Sequence, residues 1–115
     1  MTKIGGNTGF MAGVPELLIL RLLQDREMYG YEIVQAIRAA TRQAISPGEG
    51  VIYPVLHALE KDGALKSQRR PAGPRMRVYY TLTSRGVRRL FDLTDEWSRL
   101  HGAVGAVLKG GAHAV

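Results

Sequence analysis

Residues 46–63 read SPGEGVIYPVLHALEKDG and residues 64–82 read ALKSQRRPAGPRMRVYYTL; this stretch decides the fold. Its first part has the spacing of a helix, with Ile52, Val55 or Leu56, and Leu59 falling on one face. Ser46-Pro47-Gly48-Glu49 has the Ser-x-x-Glu form of a capping box with proline at the first helical position, and Gly48 is the alternative cap. Pro54 falls near the first turn, where a missing N–H costs least. Gly63 admits the left-handed conformation that stops a helix. The second part reads as a hairpin: Leu65 to Arg70 and Arg77 to Leu82 flank the turn-rich Pro71-Ala72-Gly73-Pro74. Alternation sends Val78, Tyr80 and Leu82 to one side and Arg77, Tyr79 and Thr81 to the other. Two strands are marginal alone, so the hairpin must lean on helices.

Those helices flank it. Upstream, Pro15 suits the first turn of an almost wholly apolar helix ending near Gln24, and residues 25–29 read as a short polar connection. A second helix runs from about Tyr31 to Arg42 with Ile33, Val34, Ile37 and Ala40 inward, entered through Gly30 where two backbones approach closely. Residues 43–48 are its exit loop. Downstream, Thr83 or Ser84 caps a long helix whose stripe is Val87, Leu90, Thr94, Trp97, His101, Val104 and Leu108. Some 25 residues make a helix of about 37 Å, more than three short helices can cover, and a second copy of the same helix can cover the rest. The expected organisation is a flexible arm at 1–13, a winged helix-turn-helix at 14–83, a dimerisation helix at 84–109 and a disordered tail at 110–115. The fold class is mainly α with a two-stranded β-wing.

Composition narrows the function. The 115 residues are 45% hydrophobic, as in a single globular domain. There is no cysteine, which removes disulfide scaffolds, thiolate zinc sites and cysteine nucleophiles. No apolar run approaches the roughly 20 residues of a membrane helix, and the start lacks the order of a secretory signal, so the expected compartment is the cytoplasm. The net charge of +6 is concentrated: Lys61 to Arg89 holds nine bases against the single acid Asp62, a net +8, leaving −2 for the rest. Such an edge suits a polyanion bound through its phosphates. The three histidines do not cluster with carboxylates at metal-ligand spacing, and there is neither a phosphate loop nor a catalytic constellation. The expectation is therefore no enzyme, no cofactor and no metal.

Three segments then carry a resemblance: Tyr29-Gly30-Tyr31-Glu32-Ile33, the run from Gly50 to Gly63, and the run from Arg77 to Gly86. At these separations the chain resembles the PadR family of bacterial transcriptional regulators, in its small type with one C-terminal helix. The resemblance implies a homodimer with two wings and two recognition helices facing successive major grooves of double-stranded DNA. The chain departs from the family's Gly-Thr-Leu-Tyr-Pro in having Val51 for threonine, and has Gly48 where Ser or Asn is usual. On this basis the DNA-contacting residues are expected to be Glu49, Gly50, Val51 and Tyr53 of the third helix with Arg69, Arg70, Arg75 and Arg77 of the wing. The dimer interface is expected at Leu90, Thr94, Trp97, His101, Val104 and Leu108. Small multidrug-sensing relatives sandwich a flat aromatic compound between two tryptophans at the position of Trp97. Phe91, Asp95, Trp97 and Leu100 are accordingly the candidate ligand residues, beside the plainer reading of Trp97 as interface core. The functional expectation is a sequence-specific repressor released by a small planar effector. A winged-helix protein- or RNA-interaction module without operator specificity is the alternative.

Overall fold

A computed structural model of the chain describes residues 13–110. In it the decisive helix, α3, spans Glu49–Asp62 and begins at the later of its two candidate caps, extended Gly48. The capping box does not form: Ser46 lies two residues ahead of the cap, and its hydroxyl accepts a hydrogen bond from Arg38 Nε at 2.8 Å. The far end stops as expected. Gly63 is left-handed at φ 88°, and the amides of Gly63 and Ala64 close onto the carbonyls of Glu60 and Leu59.

Around α3 lie α1 (Val14–Asp25), α2 (Gly30–Ala40) and α4 (Ser84–Leu108), with strands β1 (Met28–Tyr29), β2 (Leu65–Ala72) and β3 (Arg75–Leu82). The hairpin pairs Leu65 with Leu82 through to Ala72 with Arg75. One element departs from the sequence reading. Residues 28–29, read as connection, form a third antiparallel strand against Tyr80 and Tyr79, giving the order β1-β3-β2. Two residues are too few for an alternation pattern; the strand forms because Met28 is buried in the core and its backbone meets β3.

The core is the shared inner face of these elements. Ile19, Leu20, Ile33, Ile37, Ile52, Leu56 and Leu65 are its largest fully buried side chains, and truncating one to alanine would cost roughly 2–5 kcal/mol. Tyr80 of β3 lies buried with them.

The start of α4 is seated on the β2 entry. The Thr83 amide donates to the Ala64 carbonyl at 3.1 Å, and Thr83 Oγ1 accepts from the Gly86 amide at 3.1 Å. The same hydroxyl reaches the carbonyls of Gly63 and Ala64 at 2.6 and 3.0 Å. Gly86 is buried there, and a Cβ on it would lie 2.2 Å from the Ala64 oxygen, so no larger residue fits. Leu90 enters the core and Leu93 packs on its edge. Beyond Leu93 the helix leaves the domain. The molecule is 63 Å long with a radius of gyration of 16.3 Å, against about 13 Å for a compact chain of this size. The arm and tail expected at the termini lie outside the described residues, apart from Gly13 and Gly110.

Candidate nucleic-acid interface

The leading end of α3 is open. Glu49 and Gly50 are exposed and Val51 is half-buried. The first amides of a helix have no partner within it, and here Gly48 offers no side chain to cap them. A Cβ on Gly50 would meet nothing within 4 Å. Glycine there is therefore not required by the chain's own packing. Tyr53, one turn on, lays its ring against Gly30, where a Cβ would fall 2.5 Å from ring atoms. Gly30 thus makes room for a side chain, where the sequence reading expected a second backbone. Burial, and then the nearby Glu49 carboxylate and Tyr29, raise the Tyr53 hydroxyl above its ordinary pKa of 10.0. His57 is exposed beyond it.

The wing carries its cations unequally. Its outer face places Arg70 opposite Arg77, next to Tyr79 and Tyr29. The two tyrosines meet edge to face with centroids 5.5 Å apart. Arg77 lies over the Tyr29 ring at 4.3 Å, and Arg70 over the Tyr79 ring at 3.9 Å. Arg70 also pairs with Glu27, and its Nε is buried with no hydrogen-bond partner. Arg69 and Arg75 are exposed. Of the nine bases between Lys61 and Arg89, three are held in place: Arg70 by Glu27, Arg85 by Asp62 and Arg89 by Glu16. The hydrogen bond from Arg85 lowers the Asp62 carboxyl below its usual range. Among the described residues Lys61, Lys66, Arg69, Arg75, Arg77 and Arg88 carry no ion pair. Arg70 therefore differs from the other three wing arginines in having a carboxylate already at its Nη2. Sequence could not reveal this, because Glu27 comes from a segment more than forty residues away.

The projecting part of α4 leaves large apolar side chains in solvent: Phe91 is 75% exposed, Trp97 46%, Val104 48% and Leu108 80%. At 100° per residue, Trp97, His101, Val104 and Leu108 continue the line on which Leu90 enters the core. The stripe is covered by its own chain at Leu90, which is only 4% exposed, and uncovered beyond. Leu90 is thus committed to the core and is not a free interface residue. Trp97 stacks on His101, with centroids 5.6 Å apart and planes 26° from parallel.

The four candidate ligand residues do not meet within one chain. Phe91 lies about 120° around the helix from Trp97. With Asp95 it lines a groove of about 440 Å³ between α1 and α4, walled also by Arg21, Gln24, Val87 and Thr94. Trp97 and Leu100 lie on another side, so a site using all four requires two chains. Among the described residues no group of His, Asp and Glu is placed to hold a metal, and no helix is long and apolar enough to cross a membrane.

Comparison with known proteins places this architecture. The family model "Transcriptional regulator PadR-like family" matches residues 19–92. The chain is 32% identical over 104 residues to the transcriptional regulator Rv3488 of Mycobacterium tuberculosis, covering 90% of this chain and 92% of that protein. It is 27% identical over 103 residues to the transcriptional regulator YqjI of Escherichia coli, spanning 48% of that longer protein. A transcriptional regulator from Clostridium thermocellum superposes with a TM-score of 0.80 at 28% identity, over 85% of this chain and 96% of the other. A PadR family transcriptional regulator from Eggerthella lenta does so with a TM-score of 0.73 at 30% identity, over 84% and 83%. The match runs from the middle of α1 through the wing into α4 and takes in α3 whole, and on it the chain belongs to the PadR-like family of transcriptional regulators, DNA-binding proteins and not enzymes.

Proposed function

We propose that the chain acts as a homodimeric, sequence-specific repressor on double-stranded DNA, with α3 in the major groove and the wing on the backbone or minor groove. The observation that carries this reading is the pairing of an uncapped α3 start, bare at Gly50, with unpaired arginines at Arg69, Arg75 and Arg77 on the wing. Glu49 and Val51 read bases, Gly50 lets phosphate or base edges approach, and Tyr53 offers its hydroxyl at the rim. The dimer forms along the uncovered stripe of Thr94, Trp97, His101, Val104 and Leu108, which an apolar partner must cover for so short a chain to bury it. Occupying an operator in the cytoplasm is then sufficient to repress. A planar aromatic effector enters at the dimer helices, between the Trp97 indoles of the two chains, with Asp95 favouring a cation.

Titration of a palindromic duplex, a random duplex and an RNA duplex at several salt concentrations tests this. Three free wing arginines per chain predict a log–log salt slope near −5 for a dimer, at about 0.9 per phosphate. A preference for one palindrome of at least about a thousandfold is expected. Equal affinity for all three nucleic acids would instead support an interaction module without operator recognition. Saturable quenching of Trp97 fluorescence by planar dyes tests the effector site, and its absence would remove that part of the proposal.

A further inference from the structure

We propose that Glu27 stands in for a DNA phosphate: by holding Arg70 it withdraws one wing cation from the duplex and restrains indiscriminate binding. This rests on the DNA-binding reading above. Arg70 and Arg77 face each other across β2 and β3 on the outer side of the sheet, where like charges directly opposite destabilise a strand pair. The structure resolves the two differently. Arg77 lies over Tyr29 and has no carboxylate paired to it among the described residues. Arg70 lies over Tyr79 and pairs with Glu27, with its Nε turned into the protein. The Glu27 carboxylate sits on Arg70 Nη2, one of the guanidinium donors that a phosphate would take, so Glu27 competes with a phosphate for Arg70.

Glu27 is placed for this role by its neighbours. It precedes the two-residue strand paired to β3. The turn around it is tied by the Tyr29 amide donating to Glu32 Oε1 at 3.1 Å, and by Arg26 donating to Glu32 Oε2 at 3.3 Å. The contact therefore joins the α1–β1 link to the middle of the wing. Because affinity for random duplex grows with the number of phosphates neutralised, a wing with one cation withheld binds the genome at large less tightly. Contacts made by α3 are untouched.

The test is a double-mutant cycle on the full chain with Glu27→Gln, Arg70→Ala and both together, titrated on random duplex at 50 and 200 mM salt. Glutamine is isosteric and Glu27 is 43% exposed, so the fold is kept. Glu27→Gln is expected to bind random duplex more tightly, with a salt slope steeper by about 1.8 for a dimer. Its advantage over the parent then shrinks about twelvefold between the two salt concentrations. Arg70→Ala should abolish the gain from Glu27→Gln. An unchanged or weakened Glu27→Gln variant overturns the proposal. So does a gain that survives Arg70→Ala, since Glu27 would then act only by its charge at a distance. A parent chain with no salt-dependent duplex binding would instead sink the DNA-binding reading itself, and the proposal with it.

Discussion

Replacing Gly86 by alanine should unseat α4. The added Cβ would lie 2.2 Å from the Ala64 oxygen, 2.8 Å from Leu82 Cδ1 and 3.1 Å from the Ala64 carbonyl carbon. Ordinary contact begins near 3.5 Å, so the backbone oxygen is more than ~1 Å too close and no rotamer change relieves it. That oxygen also accepts from the Thr83 amide at 3.1 Å, so lifting the helix breaks the Thr83 seat together with its cap. Overpacking costs about 2 kcal/mol, and the weakened cap and hydrogen bond about 1–2 kcal/mol. The better helix propensity of alanine returns about 1 kcal/mol. The net loss of about 2–3 kcal/mol lowers the melting temperature by roughly 10–15 °C in a domain of this size. Thermal unfolding followed by far-UV circular dichroism measures it, at one protein concentration because self-association shifts the midpoint. Gly102→Ala is the control on the same helix, since a Cβ there meets nothing within 4 Å, and should stabilise by up to about 1 kcal/mol. A Gly86→Ala protein melting within two or so degrees of the parent would refute the reasoning.

Other perturbations separate the remaining parts. Arg69→Ala and Arg75→Ala should each weaken binding to every duplex and flatten the salt slope by about 1.8 per dimer, whereas changes at Glu49 or Val51 should alter preference among sequences; the opposite assignment in a titration panel would reverse the placement of wing and helix. Gly30→Ala drives the Tyr53 ring off its seat, and should lower operator affinity about tenfold while affinity for random duplex changes little. Trp97→Asp should sediment as monomer or unfold, and an intact folded dimer would count against the interface. Burial raises the hydroxyls of Tyr53 and Tyr80 above 10.0. The unfolded chain then ionises first, so their neutral forms leave stability unaffected below about pH 10 and erode it as pH climbs from there toward the raised folded values. Phenolate absorbance during an alkaline titration should accordingly show Tyr53 and Tyr80 ionising above 10.0, and Tyr53→Phe and Tyr80→Phe should each remove part of that late absorbance.

What could be read from the sequence was whatever is local: periodic faces, stops and caps. The inward faces of α2 (Ile33, Val34 and Ile37) and of α3, the core-facing Val78, Tyr80 and Leu82 of β3, the Gly63 stop and the Thr83 cap each follow from residues within a few positions of one another, and the structure shows them; Ala40, expected inward, is exposed because α2 ends there. What could not be read depends on distant partners. Ser46 looked like a cap, yet the helix starts beyond it and its hydroxyl accepts from Arg38. Gly30 looked like a site of backbone approach, yet its neighbour is the ring of Tyr53. Strand β1 is visible only from β3. The basic segment is the plainest case. Its +8 is a sum along the chain, while the field that a duplex meets is reduced by Glu16 and Glu27, which fold back from the amino-terminal third.

The same contacts explain how an event on α4 can reach α3. The front of α3 rests on α2 through Tyr53 and Gly30. Its rear passes through Gly63 and Ala64 directly into the Thr83–Gly86 seat of α4, with Asp62 and Arg85 tying the two helices across it. No flexible linker lies between the proposed reading head and the uncovered stripe of α4. In the proposed dimer, the relative placement of the two α3 helices is therefore set by the angle at which the α4 helices cross. The 14 residues of α3 extend about 20 Å from that seat to the leading end. A turn of about 10° at the seat displaces Glu49 and Gly50 by roughly 3 Å, about the length of one hydrogen bond. On the proposed reading, a ligand wedging the two Trp97 side chains apart would not need to touch the DNA-binding domain to spoil its register with the duplex.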